Sequence, residues 1–248
     1  MAVIVLMYHH TPAGAPEGFY DVGLAAFRDQ IRALRDAGVS FVKFSECDRP
    51  ELARAGTHVA LTFDDGHASN AAAFHFLADE GLTPTAFVVR DWSARDPRYL
   101  SGRALGDLKG VCELGGHGAT HRALTSLADA ELDDELAASR DYVGAIVGAG
   151  PVKTMALPGG HGGRRELAAA LRAGFTLVGN SRPLPHTTPG VGVNRICVNR
   201  THDARAPLRW AQAGALHWTA LRARLTATAA GRRLLGESLY GALTALAK

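Results

Sequence analysis

Short apolar runs recur along this chain, each followed by a polar or glycine-rich turn and then by an amphipathic stretch. Val3–Tyr8 is the first run, and a proline- and glycine-rich loop over 11–18 follows it. Leu24, Phe27, Ile31 and Leu34 have helical spacing, and Gly38 stops that helix. Positions 39–44 alternate like a strand, and His58–Phe63 is the next apolar run, closed by Asp64-Asp65-Gly66. A helix is predicted over 71–77, strands over 85–89 and 111–116, and a long helix over Asp129–Val147 with acids in its first turns, as the helix dipole prefers. Further strands are predicted over 153–157, 175–178 and 193–198, with a helix over 164–173. Strands alternating with helices imply a parallel α/β architecture. The number of units, seven or eight by this reading, points to a barrel rather than an open sheet.

Composition narrows the class. With 248 residues, 47% hydrophobic and 21% charged, the chain has the balance of a folded globular protein rather than a disordered one. No window approaches the ~18 apolar residues that a membrane-spanning helix needs. The first ten residues lack the basic start of a signal peptide, and Cys47, Cys112 and Cys197 show no paired spacing. A reducing, cytoplasmic setting is therefore expected.

Charge is unevenly placed. From Arg205 onward there are seven bases against one acid, a local charge of +6, which leaves −3 for residues 1–204 of the total of +3. The expected division is a barrel over 1–204 and a basic helical extension over 205–248. A solvated face packed on the barrel is the simpler reading of that extension, and peripheral contact with the anionic inner leaflet is the sharper one. Aromatic residues are only 7%, and no nucleic-acid motif is present, so nucleic acid is not an expected partner.

Polar residues gather at the ends of the predicted strands. His9 and His10, Asp64 and Asp65, His117, and Pro158-Gly159-Gly160 each follow a strand directly. In a parallel barrel such positions converge on the C-terminal rim, where these folds place their chemistry. Two adjacent carboxylates at a strand end point different ways, so one can ligate a metal while the other stays free. His117 and His121 are four residues apart, one helical turn and a chelating spacing. Asp65, His117 and His121 together have the composition of a catalytic zinc site or one for Co²⁺, Ni²⁺ or Mn²⁺.

Leu61-Thr62-Phe63-Asp64-Asp65-Gly66 and the segment from His117 through His121 to Leu124 resemble the first two motifs of the polysaccharide deacetylases, the NodB-homology domains of carbohydrate esterase family 4. Val5-Leu6-Met7-Tyr8-His9-His10 is similar to the first strand of the branch acting on exopolysaccharides. Met155-Ala156-Leu157-Pro158-Gly159-Gly160 resembles a degenerate third motif, and Asn194-Arg195-Ile196 stands where that branch often has an Arg-Ile pair. The resemblance covers roughly residues 1–200. It implies a distorted (β/α)7 barrel, here with additional C-terminal helices, and metal-dependent N-deacetylation of an amino sugar. Asp65, His117 and His121 would carry the metal, and Asp64 would be the general base.

Two departures stand out. Ala156 occupies the place of an arginine that orients the base in many relatives, with Arg195 or Arg164 as substitutes. No clean match to the motif of the general-acid histidine is present. His9 and His202 are the catalytic candidates, with His10, His161 and His186 as further histidines by position. Tyr8, His10, Pro158, Gly159, Gly160 and Arg195 are the candidate substrate contacts. The expected partner is a nucleotide-linked, lipid-linked or small-molecule N-acetyl amino sugar of envelope glycan synthesis. A hydrolase of a non-sugar amide or cyclic imide, and a catalytically silent carbohydrate-binding relative, are the competing readings.

Overall fold

Parallel pairing of short buried strands organises the first part of the molecule. The chain runs β1 (Val3–Tyr8), α1 (Leu24–Asp36), β2 (Ser40–Phe41), β3 (His58–Phe63), α2 (Ala71–Asp79), β4 (Thr85–Val88), α3 (Arg90–Arg95), α4 (Gly102–Leu108) and β5 (Glu113–Gly116). It continues through α5 (Asp129–Val147), β6 (Thr154–Ala156), α6 (Arg164–Arg172), β7 (Leu177–Gly179), β8 (Gly192–Val193), β9 (Ile196–Cys197) and α7 (Ala206–Gln212). This computed structural model describes residues 3–53, 56–148, 150–187 and 190–229. The chain divides into two compact units, 1–211 and 212–248.

In the first unit the strand order is β8-β7-β6-β5-β4-β3-β1-β9, with β2 also beside β3, and every ladder between strands is parallel. Both β1 and β3 are buried at all six positions, as strands covered on two faces must be. The arrangement is the distorted (β/α)7 barrel. Val3, Val5, Ala60, Phe87, Ala156 and Leu177 belong to its buried core, with Phe44 packing edge-on against Phe87 at 5.1 Å. Outward-facing residues of the same strands meet α1 and α2: Phe27 lies 5.0 Å from Tyr8, and Phe74 lies 4.9 Å from Phe63.

The structure departs from the sequence pattern in several places. The single strand expected over 193–198 is two, β8 beside β7 and β9 beside β1, separated where Arg195 turns into the interior. The strand expected over 39–44 is reduced to Ser40–Phe41, because the chain turns at Phe44. Helices α3 and α4 were hidden by their shortness. Residues 117–121 are not a helical turn: Gly118 has φ 80° and His121 φ 63°, so the two imidazoles converge across a loop.

The second unit is helical over 215–229, and the Trp218 indole donates to the Ala213 carbonyl. Of the basic residues expected in the C-terminal extension, Arg232, Arg233 and Lys248 lie outside the described residues. No described helix is long and apolar enough to cross a membrane.

Candidate active site

Strand alternation decides which rim residues reach the interior. Met7 and His9 line a cleft of about 380 Å³ at the C-terminal ends of the strands, with Asp64, Asp65, His117 and His121. Tyr8, one residue out of phase, instead points into the helical layer and donates its hydroxyl to Gln30. On the next strand Thr62 and Asp64 face inward while Phe63 faces α2. Plain alternation would then send Asp65 outward. A left-handed backbone at Asp65 (φ 73°), continued by Gly66 (φ 74°), swings its carboxylate back to the cleft.

Asp65 and His121 are the two non-glycine residues with positive φ among the described residues. Such backbone costs on the order of 1–3 kcal/mol per residue and persists where the surroundings over-determine it. Here it is spent on bringing three donors together. Asp65 Oδ1 lies 3.5 Å from His117 Nε2 and 3.4 Å from His121 Nε2, and all three donor atoms lie within 4.8 Å of one another. His117 Nδ1 donates to the Ala156 carbonyl at 2.9 Å, which fixes the tautomer that leaves Nε2 as the free donor. Trp92 packs on the His121 ring at 4.5 Å. Glu135 of α5 accepts hydrogen bonds from the Thr120 N–H and hydroxyl, clamping the loop that carries both histidines. Two imidazoles and a carboxylate suit a divalent transition ion, and the structure fits that group.

Burial alone would lower the His121 pKa, and His117 adds to it, giving about 4. The ring therefore stays neutral, as a ligand must. For His117 burial also pulls downward, but the Asp64 and Asp65 carboxylates outweigh it and raise the value. For Asp65 burial pulls upward and is overcome by the neighbouring His117, with His9 and His121 adding to it, so the carboxylate is held ionised.

Behind the triad, Asp64 is 2% exposed and meets Arg195, which is fully buried. The pair is bidentate: Nη1 to Oδ1 at 2.6 Å and Nη2 to Oδ2 at 2.8 Å. Arg195 Nε donates to the Asn180 carbonyl, and its guanidinium lies 5.3 Å from the Phe87 ring centroid. Burial raises the Asp64 pKa, but Arg195 and then His117 more than reverse it, keeping the carboxyl below its ordinary range. This geometry places Arg195 as the residue that orients Asp64, where Ala156 offers no side chain to do so. It also corrects the reading of Arg195 as a substrate contact, since both terminal nitrogens are occupied and none of the residue is exposed.

Gly179 makes room for that arginine. A Cβ there would come 2.6 Å from Arg195 Nε and 2.9 Å from Cδ, and a fully buried side chain cannot swing away. Gly179→Ala is therefore expected to cost about 1–3 kcal/mol, the usual range for overpacking. A drop in Tm together with reduced turnover checks it, whereas an unchanged enzyme would show that the cradle is loose.

The remaining candidates sort by position. Gly159 and Gly160 line the cleft with His161. Pro158 is buried and packs against Gly118. His10 lies out of phase with the cleft, its Nδ1 2.9 Å from Asp21 and its ring 4.2 Å from that of His67. His202 accepts the Asn199 N–H and packs on Trp210, away from the cleft-lining residues. His186 bridges Val3 at the opposite end of β1, and Arg164 is exposed. Tyr8, His10 and His202 thus do not reach the cleft. His9 does: its ring lies 4.5 Å from Tyr20, and its Nδ1 is buried without a protein partner. Burial lowers its pKa most, opposed by Asp64 and Asp65.

Comparison with known proteins identifies the family and the fold. The family profile described as polysaccharide deacetylase matches residues 53–178. Among solved structures, the chain resembles the Streptococcus pyogenes deacetylase PplD in complex with acetate (TM-score 0.77, 20% identity, 86% of this chain and 99% of that one). It also resembles IcaB from Ammonifex degensii (0.73, 23%, 86% and 97%) and BC0361, a polysaccharide deacetylase from Bacillus cereus (0.75, 22%, 86% and 69%). These likenesses concern the fold. No curated protein matches the sequence. With the family profile spanning half the chain and the motif residues gathered in one cleft, the chain belongs to the polysaccharide deacetylase family.

Proposed function

We propose that this protein is a metal-dependent hydrolase that removes the N-acetyl group from an amino sugar. The observation that carries the reading is Asp64. A buried ion pair is a poor way to stabilise a core, because apolar residues of similar volume do as well or better. Here the bidentate arginine holds an ionised carboxylate at the wall of a cleft, next to three donors suited to a metal.

Asp65, His117 and His121 would hold the ion. When bound there, a divalent ion such as zinc supplies Lewis acidity toward water and toward the amide carbonyl. Asp64, ionised and aimed by Arg195, takes the proton of the attacking water. General-base help of this kind is worth about 10²–10⁴-fold. The departing amine takes up the proton that Asp64 removed from water, with His9 across the cleft placed to relay it. Met7, Tyr20 and Cys197 form walls beside the reacting groups, while Gly159 and Gly160 leave room for a sugar to approach.

His121→Ala is expected to weaken metal affinity first, by 10-fold or more. Metal titration of the purified variant reads this directly, and native affinity without His121 would remove the residue from the ligand set. The substrate class is tested by comparing acetate release from N-acetylated amino-sugar oligomers with hydrolysis of small non-sugar amides. Preference for the sugar supports the proposal, while turnover confined to small amides contradicts it.

A further inference from the structure

At the opposite end of the strands lies a second cleft of about 350 Å³, unused by the chemistry above. Lys43, Lys109 and Lys153 line it, with Ser45, Thr83 and Glu113. The chain has only four lysines against 23 arginines, so three of its four converge on one hollow. They arrive from separate segments: Lys43 just after β2, Lys109 at the end of α4, and Lys153 directly before β6.

The distribution of ion pairs makes this grouping informative. Every ion pair not involving histidine among the described residues is made by arginine. Among the described residues none of the three lysines has a salt-bridge partner, and all three are exposed. The acid lining the cleft, Glu113, is committed elsewhere: its Oε1 accepts from the Ser45 hydroxyl at 2.6 Å and its Oε2 from Thr85 at 2.9 Å. Three ammonium groups against one tied carboxylate leave a surplus of about two positive charges in a concave site.

We propose that this cleft binds the diphosphate group of a small anionic ligand. Lysine serves phosphate as a mobile point charge, reorienting three donors without the fixed fork of arginine. The volume falls at the lower end of the roughly 300–1,000 Å³ typical of small-molecule sites. The surplus charge matches a diphosphate ester better than a singly charged carboxylate. The site is separate from the deacetylase cleft and stands or falls independently of it.

The test is calorimetric titration of the metal-loaded full chain with inorganic pyrophosphate at physiological ionic strength. Three proteins are compared: wild type, a Lys43→Gln/Lys109→Gln/Lys153→Gln variant, and an Arg32→Gln/Arg172→Gln/Arg205→Gln control that loses the same charge from exposed sites elsewhere. Any pyrophosphate held at the metal cleft is common to all three. The expected result is a saturable site that the lysine variant weakens at least tenfold or loses, and that the control keeps. No saturable site, a smaller loss, or an equal loss in the control overturns the proposal. Since all six positions are exposed, unchanged thermal unfolding verifies that the variants are folded.

Discussion

Asp64→Asn is expected to lower kcat by about 10²–10⁴-fold while the metal remains bound. The amide preserves the shape of the carboxylate and still offers one oxygen to Arg195, but it cannot accept the proton of water. Asp65, His117 and His121 are untouched by the change, so metal affinity should stay within a few-fold of native. The substitution also leaves the buried guanidinium without its anion, so turnover must be compared well below the Tm of the variant. Full activity in folded Asp64→Asn would remove this residue from the role of base.

Arg195→Ala is expected to be the most destabilising single change in the site. It strands an ionised carboxylate that is 2% exposed, and breaking a buried pair from one side typically costs about 3–5 kcal/mol. Against a total stability of about 5–15 kcal/mol, that shift is large. The Asp64→Ala/Arg195→Ala double variant should recover part of the loss, because neither charge is then left alone. Arg195→Lys keeps the charge but not the two parallel hydrogen bonds. It should fold, bind metal and show reduced kcat with little change in KM, as expected of a positioning residue. A lysine variant with native kcat would reduce Arg195 to a structural role.

The pair also sets the acid limb of stability. The folded Asp64 pKa lies below its unfolded value, so its contribution is present above about pH 4 and lost as pH falls through the folded value. Asp64→Asn should flatten the unfolding curve in that acidic range.

The motif residues were legible in the sequence because their chemistry demands particular side chains close together. Asp64-Asp65-Gly66 and the His117–His121 spacing announce a carboxylate, two imidazoles and a tight turn before any fold is known. The alternating strands and helices likewise gave the barrel. What local pattern could not reveal was partnership at a distance. Only the family resemblance points to Arg195, beside Arg164, as the orienting residue; Arg195 lies 131 residues from Asp64, and the split of the last predicted strand turns it inward. Glu135 reads as one more acid in a long acidic helix, yet it holds the loop bearing the ligands. Tyr8 and His10 were misplaced by proximity alone. The two-residue period of β1 separates them from Met7 and His9, and that period was present in the sequence to be read.

The central claim is that the three donors hold a metal on which hydrolysis of an N-acetyl amino sugar depends. It is tested most directly by measuring the metal content of the purified protein and acetate release from N-acetylglucosamine oligomers, before and after chelation. The account predicts about one divalent ion per chain, with acetate release abolished by chelator and restored by adding zinc or cobalt. Undiminished acetate release from protein stripped of metal, or failure to take up metal on reconstitution, would contradict it.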